Sequence, residues 1–485
     1  MSATWVTAFG TELKLGRLSL KAERLLTRDS PRTLFVKVQE EFENAYLLES
    51  AIGEKRLAEY SFIGFEPETI ISVKDGSLHS NSLDGSKDNA KTADPLRDLR
   101  KLLASPAASE LSTRTPFRFI GGAVGYISYD SVRYWERIPK KAKDDLSLPD
   151  MEFGIYTDGI VFDHLKKETH YYSLGRENRL KLVESLLRRK NQLDQHELTA
   201  PAGARPTVEK ERFESMVETA KDQITEGDIF QVVLSKRYDF ELRGDLSVFY
   251  EALSQINPSP YMYFLSFGDR KIVGSSPEML VRVENRQVET FPIAGTRPHL
   301  ADAKENAKLT RELLADPKER AEHTMLVDLA RNDVGRVARY GSVKVPELFT
   351  VQQFSHVQHI VSRVVGSLRR EFDSFDAMRA IFPAGTVSGA PKPRAMEIIE
   401  ELEPLRRGPY AGALGYFSFN GNADFAITIR TLVSRGTKCS IQSGAGIVAD
   451  SDPEKEWYET QSKAAGLMKA VESVTGRRMI GEGKK

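Results

Sequence analysis

The chain has 485 residues, of which 40% are hydrophobic and 9% aromatic, enough apolar material for a packed interior. This length exceeds what one hydrophobic core usually organises, so we expect two or three domains or one two-lobed unit. Lys plus Arg and Asp plus Glu both total 69, so the net charge is zero. A protein that neutralises many phosphates normally carries a basic excess, and the balance argues against nucleic acids and anionic membrane surfaces as partners.

Cysteine usage and hydropathy give an expectation about the compartment. The single cysteine, Cys439, excludes an intramolecular disulfide and suits a reducing environment. Residues 1–20 lack the apolar core of a secretory signal, and no apolar run approaches the ~20 residues that cross a bilayer. We therefore expect a cytoplasmic protein.

Two segments in the first half of the chain interrupt its regular patterns. Residues 70–95 place strand-like ends around a Ser/Asn/Asp/Gly cluster, which predicts a hairpin with a loose loop. Residues 188–205 are polar and then rich in Pro, Ala and Gly, which is typical of a boundary between regions. The boundary separates residues 1–200 from residues 207–475.

The C-terminal region begins with an amphipathic helix, because apolar residues from Phe213 to Ile224 recur at helical spacing. A β-rich segment follows at 229–234. Further strands are predicted at 262–267, 271–274, 280–283, 415–419, 425–431 and 438–442, and helices at 301–314, 318–335, 392–402 and 453–472. Several strands follow one another without an intervening helix, so the predicted fold is α+β, a two-lobed sandwich of largely antiparallel sheets with helices packed outside.

Two pairs of glutamates lie on predicted helices. Glu319 and Glu322 are three residues apart, as are Glu456 and Glu459, and this spacing places each pair on one helix face. The second helix has a clear start, with Asp452 as its N-cap residue and a proline at the first helical position. Taken alone, each pair is more typical of a solvated helix face.

Convergence of the two faces would require a counter-charge, and a hard divalent cation supplies one. The sequence has neither the Glu-x-x-His spacing of a di-iron bundle nor a Cys/His cluster for zinc. Oxygen-only ligation favours Mg²⁺. Lys463, four residues after Glu459, is equally compatible with a simple salt bridge along the helix.

Three glycine-containing segments, at 293–298, 384–392 and 443–446, follow or bound predicted strands. None has the spacing of a P-loop or of a dinucleotide fingerprint. Such segments offer backbone N–H groups to a small anion, and Arg430 would add a bidentate carboxylate partner. They predict a pocket for a small dianion in the C-terminal region, although ordinary turns and a surface ion pair remain open alternatives.

Taken together, these segments resemble the chorismate-utilising enzymes, and within that family the large subunits that make anthranilate. The resemblance covers nearly the whole chain and is carried by these strings: LLES (47–50), YSFIG (60–64), GGAVGYISYD (121–130), EGDIFQVVLSKR (226–237), NPSPYMYF (257–264), SSPEML (275–280), FPIAGTRP (291–298), AEHTMLVDLARNDVGR (321–336), FPAGTVSGAPK (382–392), YAGALGY (410–416), DFAITIRT (424–431) and GAGIVADSDPEKEWYET (444–460). It implies that ammonia adds to C2 of chorismate, that the C4 hydroxyl leaves, and that pyruvate is eliminated to give anthranilate.

The resemblance also implies roles for the acidic residues. Mg²⁺ is expected to be held by Glu322 and Glu459, with Glu319 and Glu456 close by, directly or through water. The cation would act as template and Lewis acid at the ring carboxylate. Glu278 is expected to protonate the departing hydroxyl, which requires a carboxyl kept partly protonated by burial or by carboxylate neighbours.

Other positions follow from the same resemblance. His359 is expected to transfer a proton when pyruvate leaves, and Tyr410 and Arg430 to grip the enolpyruvyl side. The carboxylate pocket is expected to be lined by Gly295, Thr296, Thr386, Gly444, Ala445 and Gly446, with Lys463 adding charge. Without the motifs, Glu278 is more typical of a strand-end ion pair, and His359 or Tyr410 of a half-buried ring.

Two positions distinguish members of the family. Relatives that add water to chorismate carry a lysine where this chain has Gln231, because water must be activated by a base, whereas ammonia is already a nucleophile. Relatives that make aminodeoxychorismate typically carry a lysine where this chain has Ala294, and that lysine attacks C2 itself. Both residues favour anthranilate, with aminodeoxychorismate synthesis as the alternative. From another class, a non-catalytic tryptophan-binding regulator is disfavoured by the acidic pairs and Glu278.

The source of ammonia and the regulation are also implied by resemblance. Cys439 lies in a predicted strand rather than in the Gly-x-Cys-x-Gly turn of a glutamine amidotransferase, so that activity is expected on a separate subunit. The catalytic domain is expected at 207–475 and a regulatory or structural region at 1–200. Feedback inhibition by tryptophan is expected at a site formed by Ser50, Pro260, Tyr261 and Met262. Glu59 stands where relatives often have arginine, which bears on the strength of this feedback.

Overall fold

A computed structural model describes residues 20–50, 59–104, 115, 117–174, 178–190, 196–300, 302–353 and 357–480. The strands are β1 (Leu20–Leu25), β2 (Asn44–Glu49), β3 (Tyr60–Phe65), β4 (Thr69–Lys74), β5 (Ser77–Ser82), β6 (Lys87–Lys91), β7 (Gly122–Ile127), β8 (Met151–Tyr156), β9 (Asp158–Asp163), β10 (Glu168–Leu174), β11 (Leu198–Thr199), β12 (Arg205–Pro206), β13 (Gln231–Glu241), β14 (Arg243–Gly244), β15 (Tyr261–Phe267), β16 (Arg270–Ser276), β17 (Met279–Glu284), β18 (Gln287–Thr290), β19 (Ile293–Pro298), β20 (Lys344–Gln353), β21 (Val357–Ser367), β22 (Gly389–Ala390), β23 (Ala413–Ser418), β24 (Ala423–Ile427), β25 (Thr431–Arg435) and β26 (Lys438–Ile447).

The helices are α1 (Pro31–Gln39), α2 (Pro95–Leu103), α3 (Leu180–Arg188), α4 (Lys210–Thr225), α5 (Leu246–Ile256), α6 (Ala303–Ala315), α7 (Pro317–Gly335), α8 (Ser374–Ile381), α9 (Gly385–Ser388), α10 (Lys392–Leu402) and α11 (Pro453–Thr475), with a 3₁₀ helix at Tyr129–Tyr134. None of the helices in the described part of the chain is long and apolar enough to cross a membrane.

Two large antiparallel sheets, each of 12 strands within the described residues, form the body of the protein. The first sheet has the order β1-β10-β9-β3-β2-β15-β16-β25-β26-β13-β12, with β22 beside β13. The second has the order β19-β21-β18-β17-β24-β23-β7-β8-β4-β5-β6, with β20 beside β21. Strands from both halves of the sequence pair with each other, because β2 adjoins β15 and β7 adjoins β23. The two regions separated at 188–205 therefore share both sheets, and their division by function stays a prediction.

The main core lies between the two sheets and is rich in aromatic rings. The rings of Tyr46 and Tyr156 are 4.7 Å apart, and those of Phe119 and Tyr416 are 4.6 Å apart, within the range of favourable aromatic pairs. Helices α1, α5 and α11 cover the outer face of the first sheet, and α4 and α10 pack on β13 and β26. The predicted α+β sandwich of largely antiparallel sheets is confirmed.

Several local predictions differ from the structure. The segment 70–95 contains parts of three strands, β4 to β6, because Asp75 and Gly76 already turn the chain at left-handed φ values of 45° and 73°. The strand predicted at 425–431 is divided into β24 and β25. The glycine segment 443–446 is not a loop but lies inside β26, paired with β13. The helix starting at Pro453 is confirmed, with the Asp452 side chain accepting from the Lys455 amide.

Candidate active site

The chain passes between the two sheets several times, and two neighbouring crossings each carry a predicted site residue. Glu278 lies between β16 of the first sheet and β17 of the second, and Arg430 lies between β24 of the second and β25 of the first. The crossings are tied together, because the Ser275 amide donates to the Arg430 carbonyl and the Ile427 amide to the Glu278 carbonyl, both at 3.0 Å. Arg430 has φ 52°, a left-handed conformation directly before β25 begins.

Glu278 has the properties of an acid that is protonated at neutral pH. Its side chain is 8% exposed, and Thr386 Oγ1 donates a hydrogen bond of 2.8 Å to its Oε1. Burial raises the pKa of Glu278 to about 8, against the opposing effects of Thr386 and the Lys463 charge. A carboxyl with this pKa retains a proton to donate under conditions where an ordinary glutamate is ionised.

His359 is held in one tautomer by the neighbouring strand. Its Nδ1 lies 2.8 Å from the Gly295 carbonyl oxygen and 3.1 Å from Thr296 Oγ1, both on β19. Because a carbonyl oxygen only accepts, the proton of the neutral ring is on Nδ1, and Nε2 is the basic atom. Burial lowers the pKa of His359, and the charges of Arg430 and Lys463 lower it further. The ring is therefore a neutral base at neutral pH.

Tyr410 and Arg430 lie together beside the glycine-containing part of β26. A Cβ atom at Gly444 would lie 2.8 Å from Tyr410 Oη and 2.9 Å from the Leu234 carbonyl, so glycine permits this close approach. Burial lowers the pKa of Arg430, while Tyr410 and Glu459 oppose the change. Arg430 thus lies within electrostatic range of both Tyr410 and the second acidic pair.

Gln231 lies at the start of β13, and its side chain contacts Gly446 on the paired strand β26. A Cβ atom at Gly446 would lie 2.5 Å from Gln231 Nε2, so the missing side chain makes room for the carboxamide. Among the described residues, no group hydrogen-bonds to the buried Oε1 of Gln231. Ala445, between the two glycines, points its side chain into the core on the other side of the strand.

The two acidic pairs lie on α7 and α11, near the N-terminus of each helix. Burial raises the pKa of Glu322, and the charges of Glu319 and Glu459 raise it further. Burial likewise raises the pKa of Glu456, with Glu459 adding to the effect. The positive charge of Lys318, a residue that the sequence did not indicate, lowers the pKa of both Glu322 and Glu456. The carboxylates of the two helices therefore lie within electrostatic range of each other.

Two of these four carboxylates have basic partners. Glu319 accepts from Arg297 Nη1 at 2.8 Å, and Glu459 lies 2.7 Å from Lys463 Nζ. Lys463 also donates to the Gly444 carbonyl at 3.0 Å, which joins α11 to the glycine segment of β26. Within the residues the structure describes, no three His, Cys, Asp or Glu side chains are close enough to share a metal ion.

A separate cavity lies between the two sheets. Three of the four residues predicted for tryptophan binding line it, namely Ser50, Tyr261 and Met262, and Pro260 directly precedes β15 without lining it. The other lining residues are Leu48, Glu49, Tyr60, Phe62, Arg118, Tyr263, Leu414, Gly415, Tyr416 and Asp424. The sequence alone did not indicate Arg118 or Asp424 as lining residues. Arg118 lies shortly before the motif GGAVGYISYD, and Asp424 is the first residue of the motif DFAITIRT.

Known proteins resemble this chain over most of its length. The model of a family described as chorismate binding enzyme matches residues 44–469. Anthranilate synthase component 1 of Methanothermobacter thermautotrophicus is 50% identical over 442 residues, which cover 91% of this chain and 92% of that protein. The protein of the same name from Aquifex aeolicus is 42% identical, covering 94% of each chain.

Solved structures give a consistent result. Anthranilate synthase component I from Streptococcus pneumoniae superimposes with a TM-score of 0.74 at 38% identity, covering 92% of this chain and 99% of that one. MenF, the menaquinone-specific isochorismate synthase from Escherichia coli, gives a TM-score of 0.70 at 20% identity, covering 94% of each chain. At that identity the second likeness concerns the fold alone.

Proposed function

The chain belongs to the chorismate-binding enzyme family, and we propose that it is the large subunit of an anthranilate synthase, converting chorismate and ammonia into anthranilate and pyruvate. The proposal is supported by a buried acid, Glu278, held by Thr386, and a base, His359, held by the Gly295 carbonyl, with Lys463 within electrostatic range of both. The reaction needs both groups, because a hydroxyl must leave as water and a ring proton must be removed.

Each side chain of the site has a separate role in the proposed reaction. Glu278 donates its proton to the departing C4 hydroxyl, and Thr386, hydrogen-bonded to the carboxyl, stabilises the carboxylate that remains. His359 accepts a proton at Nε2, while the Gly295 carbonyl holds Nδ1–H and so orients the ring. Arg430 and Tyr410 bind the enolpyruvyl side, where a planar guanidinium matches a carboxylate. The strand segment Gly444–Gly446, with Thr296, lines the pocket for the ring carboxylate.

Mg²⁺ is the proposed cofactor, held by Glu322 and Glu459 with Glu319 and Glu456 nearby. The donor set fits the chemistry of Mg²⁺, because it is all oxygen. Burial raises the pKa of Glu322 and of Glu456, and neighbouring glutamates raise both further, a repulsion that a cation would relieve. Binding would require Glu319 and Glu459 to exchange Arg297 and Lys463 for the metal. When bound, Mg²⁺ supplies positive charge and Lewis acidity at the ring carboxylate.

The side chains of Gln231 and Ala294 support ammonia as the nucleophile. Gln231 offers a neutral oxygen acceptor to ammonia rather than a base for water, and Ala294 has no amine with which to attack C2. A separate glutamine amidotransferase subunit is proposed to supply the ammonia. Cys439 is not its nucleophile, because burial in β26 raises the pKa of the thiol to about 12. Aminodeoxychorismate synthesis, the alternative, would need the lysine that Ala294 replaces.

The cavity between the sheets is proposed as a tryptophan site for feedback inhibition. Its five aromatic rings suit an indole, and Glu49, Arg118 and Asp424 offer charges of both signs to a zwitterion. No residue proposed for catalysis lines it, so an occupant would act on the reaction at a distance.

One assay tests the function: chorismate, Mg²⁺ and excess ammonium salt at alkaline pH, followed by anthranilate fluorescence. We expect anthranilate, and we expect EDTA to abolish its formation. A non-fluorescent aminated product would assign the chain to aminodeoxychorismate synthesis. If chorismate is not consumed, the result favours a non-catalytic tryptophan-binding protein.

A further inference from the structure

Among the described residues that line the cavity, Arg118 is the only cation, and Glu49 and Asp424 are the two anions. Glu49 accepts from Tyr250 Oη at 3.0 Å, and Asp424 accepts from Tyr261 Oη at 2.9 Å and from Arg282 Nε at 2.8 Å. Glu49 also lies 3.4 Å from Arg32 Nε. Both carboxylates therefore already have cationic or hydroxyl partners, and neither can attract a ligand carboxylate.

The Arg118 side chain is 8% exposed, but two of the carboxylates that pair with it face water. Its Nη2 donates to Glu59 at 2.9 Å and its Nε to Glu284 at 3.1 Å, and these glutamate side chains are 25% and 39% exposed. A partly exposed carboxylate regains hydration when its partner leaves, provided that another carboxylate then pairs with the buried arginine. The Arg118 guanidinium can therefore exchange Glu59 for the carboxylate of a ligand in the cavity.

We propose that Arg118 binds the carboxylate of the amino acid that enters this cavity, and that Glu59 competes with the ligand for the same guanidinium. The proposal rests on the tryptophan site proposed above and adds its anion-binding residue and its internal competitor. A ligand carboxylate replaces Glu59, which turns toward water, while Glu284 keeps its contact with Nε. The planar guanidinium presents two parallel N–H groups to the ligand, a geometry that a single ammonium lacks.

The competition predicts the direction in which each substitution changes ligand affinity. Each binding event must first break the Arg118–Glu59 pair, so Glu59 weakens ligand binding in the wild-type protein. Neutralising Glu59 should strengthen the binding of any ligand that carries a carboxylate. A ligand that has the indole ring and the ammonium but no carboxylate should be insensitive to both residues.

The experiment measures the binding of L-tryptophan and of tryptamine, which lacks the carboxylate, by titration calorimetry. We expect Arg118→Met to weaken L-tryptophan about 10- to 100-fold, the range for a charge-assisted hydrogen bond, and to change tryptamine less than about twofold. Arg118→Lys should recover part of the loss. Glu59→Gln should tighten L-tryptophan about threefold or more, and leave tryptamine unchanged.

Matched controls are available on the same sheet and nearby. Arg24→Met removes an arginine paired with Glu168 on β10, and Glu41→Gln removes a glutamate paired with Arg189, and both should leave L-tryptophan binding unchanged. Equal losses for the two ligands in Arg118→Met, or no change in either Arg118→Met or Glu59→Gln, would overturn the proposal while leaving the tryptophan site intact. Absence of L-tryptophan binding to the wild-type protein would instead overturn the site itself. If Arg118→Met does not fold, Glu59→Gln decides the question alone.

Discussion

Glu278 and Arg430 occupy two neighbouring points at which the chain passes from one sheet to the other, and their backbone carbonyls accept hydrogen bonds from Ile427 and Ser275 across those crossings. Neither residue is inside a strand, so each side chain is free of the alternation that would otherwise fix it toward core or solvent. The sheet scaffold therefore holds the backbones of an acid and a cation on two hydrogen-bonded crossings, and a site for an anionic substrate with a poor leaving group requires both groups.

Arg430→Lys should raise KM for chorismate about 10- to 100-fold, because an ammonium cannot reproduce a bidentate guanidinium–carboxylate contact. The control is Arg435→Lys, at the far end of β25 with a half-exposed side chain, which should leave KM unchanged. Steady-state kinetics at saturating Mg²⁺ measure both. An unchanged KM in Arg430→Lys would remove Arg430 from the substrate site.

Glu278→Gln should lower kcat about 100- to 10,000-fold, because a general acid is lost. Its effect on stability should depend on pH in a defined direction. The pKa of Glu278 is raised from 4.5 to about 8, so the stability that its proton provides is complete below pH 4.5 and is lost as pH rises through about 8.

The glutamine does not titrate, so the free energy of unfolding of Glu278→Gln relative to wild type should increase between pH 4.5 and about 8, by on the order of a few kcal/mol. Urea unfolding at a series of pH values measures the difference. A difference that stays constant across this range would show that the carboxyl is not buried in its neutral form.

Thr386→Val should shift the alkaline limb of the pH–rate profile upward. The threonine hydroxyl stabilises the ionised carboxylate and so lowers the pKa of Glu278, and its removal should raise that pKa further. Thr386→Ser keeps the donor and should retain the wild-type limb. The profile must be recorded at a constant concentration of free NH₃, so that the supply of nucleophile does not change with pH. A downward shift in Thr386→Val would contradict this account.

Glu322→Gln should raise the Mg²⁺ concentration needed for half-maximal activity and weaken Mg²⁺ binding in calorimetry, each about 10-fold or more, because one anionic ligand is lost. The control is Glu312→Gln on α6, where the half-exposed glutamate lies near Lys308. This substitution should leave the Mg²⁺ requirement and Mg²⁺ binding unchanged. Wild-type activity of Glu322→Gln at every Mg²⁺ concentration would refute its assignment as a ligand.

Gly446→Ala should impair ammonia use by displacing the Gln231 carboxamide, since the new Cβ would lie 2.5 Å from Nε2. We expect KM for ammonia to rise with little change in KM for chorismate. The control is Gly466→Ala on α11, where the nearest atoms are 3.8 Å away. If KM for chorismate rises instead, Gly446 serves the carboxylate pocket rather than the nucleophile.

The sequence determined the features that depend on neighbours along the chain. Helical spacing predicted that Glu319 and Glu322 share a face, and the Asp452–Pro453 start of α11 was predicted from its capping chemistry and is confirmed. The motifs also predicted the family, and the succession of strands predicted largely antiparallel sheets. Each of these follows from residues that are only a few positions apart or from strings read whole.

The tertiary structure alone decided what depends on distant residues. Thr386 reaches Glu278 across 108 positions, and burial by both sheets sets the pKa of that acid. The break at Arg430 was missed because its left-handed backbone is imposed by the crossing between sheets and not by a local turn signal. The salt bridge between Arg118 and Glu59 was equally invisible, since pairing and desolvation depend on which surfaces meet, and linear spacing carries no record of that.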